Sequence, residues 1–136
     1  MVKMSMVYEG DLHCRLKHGP SGNQIVTDAP VDNQGKGAAF SPTDLTAASL
    51  GSCILTTMAI AARKSNINMD GATADVEKEM VAEPFRRIGK ISVRIMMPRG
   101  IPAEKREFLE KIARNCPVHK SLSPDVLTPL DIQYPD

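Results

Sequence analysis

The sequence predicts an α+β fold, and three observations carry the prediction. Apolar and polar residues alternate with period two near both ends of the chain, which marks half-buried strands. One long uncharged run separates two groups of such segments, and a shorter amphipathic segment follows the second group. The predicted order is three N-terminal strands, a long central helix, two strands, C-terminal helices and a last strand, in a single domain over residues 1–136.

Met4, Met6 and Tyr8 alternate with Ser5, Val7 and Glu9, and after Gly10-Asp11 the same pattern resumes with Leu12, Cys14 and Leu16 facing inward. A turn over His18–Asn23 leads to a third strand, Gln24 to Asp28, and Val31 to Ala39 reads as a loop. Ser41-Pro42-Thr43-Asp44 opens the long helix: Ser41 is the N-cap, Pro42 occupies N1 where no amide hydrogen is needed, and Asp44 stands at N3. The helix runs to Lys64, with Arg63 and Lys64 placed favourably in its last turn, and Asn66 to Gly71 breaks it. Ala72 to Met80 and Lys90 to Met97 read as strands joined by a loop over 82–89. Phe108, Leu109, Ile112 and Ala113 form one apolar helical stripe. Pro117 interrupts that helix and starts a short one to Leu122, and Leu127 to Tyr134 is the last strand.

Composition narrows the function classes. With 42% hydrophobic and 24% charged residues the chain is globular rather than disordered. The net charge is +1 and the basic residues are scattered, so there is no basic stripe for nucleic acid. Leu45 to Ala62 carries no charge over 18 residues, but Thr46, Ser49, Ser52, Thr56 and Thr57 dilute it. It is expected to be buried at the centre of a soluble fold, not to span a membrane. Met1 to Met6 lacks the apolar core of a secretion signal, so a cytoplasmic location is expected.

In a reducing compartment, cysteines with a role tend to be catalytic, redox-active or metal-binding. Cys14 reads as a buried strand residue. Cys53 lies mid-helix with Ser49, Leu50, Thr56 and Thr57 as its helical neighbours, and reads either as a small buried hydrophobe or as a reactive thiol. Cys116 precedes Pro117; with Pro117 at N1 it is the N-cap of the short helix, and it reads either as a thiol that unpaired amides, His119 and Lys120 turn toward thiolate, or as only a cap or packing residue. No CxxC, HxxxH or HExxH spacing links the cysteines with His13, His18 and His119, so no metal is expected. No nucleotide-binding glycine loop or G-x-S-x-G elbow occurs, and no cofactor is expected.

Ser41-Pro42-Thr43-Asp44-Leu45 through Gly51-Ser52-Cys53, followed 63 residues later by Cys116-Pro117-Val118, resembles the OsmC/Ohr family, named for osmotically inducible protein C and the organic hydroperoxide resistance proteins. The resemblance covers nearly the whole chain. It implies the OsmC-like fold, an intertwined homodimer, and a thiol-dependent peroxidase. Cys53 would attack the O–O bond of an organic hydroperoxide and become a sulfenic acid. Cys116 would resolve it as a disulfide, which a dithiol such as a lipoyl group reduces.

The family's peroxidase branches activate the first cysteine with an arginine from the first hairpin, held by a glutamate after the proline. This chain has Glu9-Gly10-Asp11 and Thr43 at those places. Arg15 is the nearest substitute for the arginine, and Asp44 is explained as the capping partner. Without a cation, a thiol in an apolar helix is expected to have its pKa raised. The alternative is therefore a non-catalytic protein of the same fold that binds a small apolar or electrophilic ligand, or senses oxidants.

Overall fold

The computed structural model describes residues 1–135, which fall into two compact units divided after Thr46. The first unit is a three-stranded antiparallel sheet in the order β1 (Met4–Gly10), β2 (His13–His18), β3 (Gln24–Asp28). The β1–β2 turn passes through positive φ at Gly10 (89°), Asp11 (52°) and Leu12 (60°). Gly10 adopts that region without steric cost, and the register slips between Tyr8 and Gly10. After β3, a 3-10 turn covers Val31–Asn33 within the expected loop.

The Asp28 carboxylate is the buried anchor of this unit. It accepts a hydrogen bond from the Ala38 amide at 3.0 Å and pairs with the His13 ring. The His13 hydrogen bond, acting against the opposing effect of burial, holds the Asp28 carboxyl below its usual range.

The expected inward face of the first hairpin is not buried within the chain. Met4, Met6 and Tyr8 are 61%, 57% and 64% exposed, and Cys14 is half-buried rather than buried. Period two shows that one face is apolar; it does not say what covers that face.

The long helix α1 (Pro42–Lys64) begins and ends where expected. The Asp44 amide donates to Ser41 Oγ at 3.0 Å while the Ser41 amide donates to Asp44 Oδ2 at 3.0 Å, a reciprocal capping box.

In the second unit, Ala47, Leu50, Ile54, Met58 and Ala62 recur at helical spacing and form the buried face of α1. The opposite face is not buried, and Ile60 is 56% exposed. Within one chain, one face of this helix is thus buried. By length and composition alone this helix could cross a membrane.

The buried face packs on a sheet ordered β4 (Thr73–Val81), β5 (Arg87–Met96), β6 (Leu130–Gln133), in which β5 and β6 run parallel. A methyl group on Gly51 would come within 2.7 Å of Val76 Cγ2, so glycine sets how closely the helix approaches β4. Ile91, Val93 and Ile95 of β5 point inward and are essentially inaccessible, and burial of each contributes about 1.5–3 kcal/mol.

Strand β5 starts three residues earlier than the alternation predicts, because Arg87 and Ile88 pair with Val81 and Met80 beyond the tight Pro84 hairpin. β6 is shorter than expected, and Leu127 contributes only an isolated bridge to Lys90. Helix α2 (Ala103–Ala113) buries Leu109 and Ala113. Phe108, assigned to the same stripe, is 45% exposed at its margin. Helix α3 (Pro117–Ser121) follows.

Candidate functional site

The site is built at the start of α3. Cys116 has φ −68° and ψ 152°, the extended conformation required of a residue before proline. Pro117 takes the first helical position and sacrifices no hydrogen bond there. The Cys116 sulfur accepts a hydrogen bond from the His119 amide at 3.4 Å, so the cysteine caps the helix as its place before Pro117 implies. The side chain is completely buried in the core of the second unit.

Cys53 reaches the same place from α1. It packs against the core and remains half-buried. Its sulfur lies 3.8 Å from Thr57 Oγ1, one helical turn away. It also interacts with the Val118 amide and with the Cys116 thiol. The first two free amides of α3 thus lie at the sulfur pair: the Val118 amide acts on both Cys53 and Cys116, and the His119 amide donates to Cys116.

The two thiols are shifted in opposite directions. Burial pushes Cys53 up, but hydrogen bonds from the Val118 amide, the Thr57 hydroxyl and the Cys116 thiol outweigh it, and its pKa lies below the ordinary thiol value. Deeper burial raises Cys116, the His119 amide opposes this, and the adjacent Cys53 sulfur raises it further.

The result corrects two sequence expectations. Cys53 does not need a cation to be lowered, because neutral donors converge on it; no basic side chain is among the groups that shift it. Cys116, expected to be the acidified thiol because it caps a helix, is instead the raised one, since burial and its neighbour override the cap.

The remaining sequence candidates divide. His119 contributes its amide to Cys116, while its ring Nδ1 meets Thr128 Oγ1 at 3.3 Å. Asp44 is the capping partner of Ser41, and Thr43 Oγ1 lies 3.2 Å from Ser41 Oγ, so both organise the helix start. In the first unit, Arg15 Nε donates to Glu9 Oε2 at 3.1 Å across the hairpin. Thr57 and Val118 were not identified as site residues from sequence; the signals available were the four-residue step from Cys53 and the second free amide after Pro117. No cluster of three or more metal-ligating side chains occurs among the described residues.

A family model described as OsmC-like protein matches residues 35–129. A structure from Psychrobacter arcticus, provisionally named an osmotic stress induced and detoxification response protein, is 44% identical over 98% of this chain and 96% of that one, with a TM-score of 0.92. More distant structures share the fold. An organic hydroperoxide resistance protein OsmC from Legionella pneumophila is 16% identical over 98% of this chain and 96% of that one, with a TM-score of 0.77. The organic hydroperoxide resistance protein OhrB of Bacillus subtilis is 17% identical over 98% of both chains, with a TM-score of 0.69. No curated protein matches at a significant level.

Proposed function

We propose that this chain, which belongs to the OsmC-like protein family, is a thiol-dependent redox protein that reduces organic hydroperoxides, with Cys53 as nucleophile and Cys116 as resolving thiol. The observation that carries the reading is the meeting of two thiols at the start of α3, where the Cys53 sulfur interacts with the Cys116 thiol and the His119 amide donates to the Cys116 sulfur; Cys53 is shifted down and Cys116 up. A lowered thiol is partly thiolate at neutral pH, and thiolate is the attacking species.

The steps follow from that pairing. The Cys53 thiolate attacks the terminal oxygen of the hydroperoxide; the O–O bond breaks, and sulfur becomes a sulfenic acid. The departing alkoxide takes a proton, and the protonated Cys116 beside the reacting sulfur is positioned to supply it. The Cys116 thiolate then attacks the Cys53 sulfur and expels hydroxide, which is protonated to water as the disulfide forms. An external dithiol, of which a lipoyl group is one kind, reduces the disulfide and resets both thiols.

The packing of Cys53 against the apolar core suits an alkyl hydroperoxide better than hydrogen peroxide. The working unit is a homodimer of single-domain chains. Support comes from an apolar surface left bare within one chain, Met4, Met6 and Tyr8 on β1.

One observation favours a second reading, a non-catalytic protein that binds a small apolar or electrophilic ligand or senses oxidants. No cation acts on Cys53, so the electrostatic help that would steady a departing alkoxide is missing. A turnover assay decides between the two: reduced protein, cumene hydroperoxide and dihydrolipoamide, for wild type, Cys53→Ser and Cys116→Ser. Peroxide loss that disappears in Cys53→Ser supports the enzyme. Loss that persists in Cys53→Ser removes the nucleophile, and a wild type without turnover leaves the binding reading.

A further inference from the structure

The second unit contains a partly enclosed cavity of about 200 Å³ beside the thiol pair, and the redox reading gives it no task. Its walls are aliphatic: Leu50 and Ile54 from α1, Val93 from β5 and Leu130 from β6. One end is different in kind. Arg114, at the C-terminal cap of α2, and His119, on α3, line it together with Thr128. Thr128 holds the His119 ring by Nδ1, leaving Nε2 as the ring's other hydrogen-bonding atom. Arg114 forms no ion pair with any described residue, and no carboxylate lines the cavity.

We propose that this cavity binds a small organic anion, a carboxylate on a short alkyl chain. The alkyl chain lies against the four aliphatic walls and the carboxylate meets the Arg114 guanidinium, a charge-assisted pairing. The volume is below the roughly 300–1,000 Å³ of drug-sized sites, so the occupant is a short chain and not a long-chain lipid. The site touches the redox pair through one residue: the His119 ring lines the cavity while the His119 amide holds the Cys116 sulfur. A bound carboxylate therefore acts on the segment that presents Cys116.

The proposal does not rest on peroxidase activity, and its test is made without peroxide. Reduced wild type and Cys53→Ser are titrated calorimetrically with sodium hexanoate, 1-hexanol and hexylammonium chloride. Hexanoate is expected to bind both proteins at least about tenfold more tightly than the alcohol, with no binding of the ammonium ion. Arg114→Gln, a change at an exposed side chain, brings hexanoate down to the level of hexanol. Leu130→Phe fills the cavity and abolishes binding; if that variant does not fold, Arg114→Gln alone still decides. Absence of hexanoate binding to wild type, equal binding of acid and alcohol, or full retention in Arg114→Gln each overturns the proposal.

Discussion

Replacing Thr57 by Val removes the hydroxyl 3.8 Å from the Cys53 sulfur and keeps a β-branched side chain of similar shape on α1. A hydrogen bond to a charged group is worth about 1.5–3 kcal/mol. This one is long, and Cys53 is half-buried, so water recovers part of the loss. A net cost to the thiolate of about 0.7–1.4 kcal/mol is the reasonable figure, which corresponds to about 0.5–1 pH unit. The sign is fixed: losing a donor to the charged form raises the pKa. The assay is the rate of Cys53 alkylation by iodoacetamide across pH, read by mass spectrometry of the Cys53 peptide in a Cys14→Ser background. Wild type should titrate below the ordinary thiol range and stay level at higher pH, and Thr57→Val should shift the curve upward. A midpoint that stays in place or falls, in a variant that keeps its fold, would refute the claim that neutral donors acidify this thiol.

Other predictions follow the same contacts. Ile95→Ala opens a cavity at a fully buried position in β5 and should cost about 2–5 kcal/mol in chemical denaturation. Asp28 is lowered in the folded state, so its stabilising contribution is present above the unfolded carboxylate value of 3.8 and fades as pH falls through the lower folded value. Asp28→Asn should thus speed exchange of the Ala38 amide near neutrality, and the gap in thermal midpoint to wild type should close in strong acid. Sedimentation should give the mass of two chains, and Met6→Asp with Tyr8→Asp should shift it toward one, since both side chains are more than half exposed within a single chain.

Local chemistry was readable in advance. Ser41-Pro42-Thr43-Asp44 names a helix start because each residue satisfies one backbone requirement there, and Cys116-Pro117 names a cap for the same reason. Relations between distant segments were not readable. That the Val118 amide reaches Cys53, 65 residues earlier, depends on how α3 is set against α1, and the sign of the Cys53 shift depends on that contact. The parallel pairing of β6 with β5 is equally a product of the closed fold. Alternation located the apolar face of β1 correctly as a face. Its exposure within one chain is a property of the whole molecule, which no window of sequence contains.

The central claim is that Cys53 and Cys116 have unequal roles in one reaction, and trapping the first intermediate tests it most directly. Reduced Cys116→Ser is treated with one equivalent of cumene hydroperoxide and then dimedone, which labels sulfenic acids, and its peptides are mapped beside those of wild type. The account predicts a dimedone adduct on Cys53 in the variant, and in wild type a Cys53–Cys116 disulfide with no adduct. An unmodified Cys53 in the variant, or an adduct on Cys116 in wild type, would contradict it.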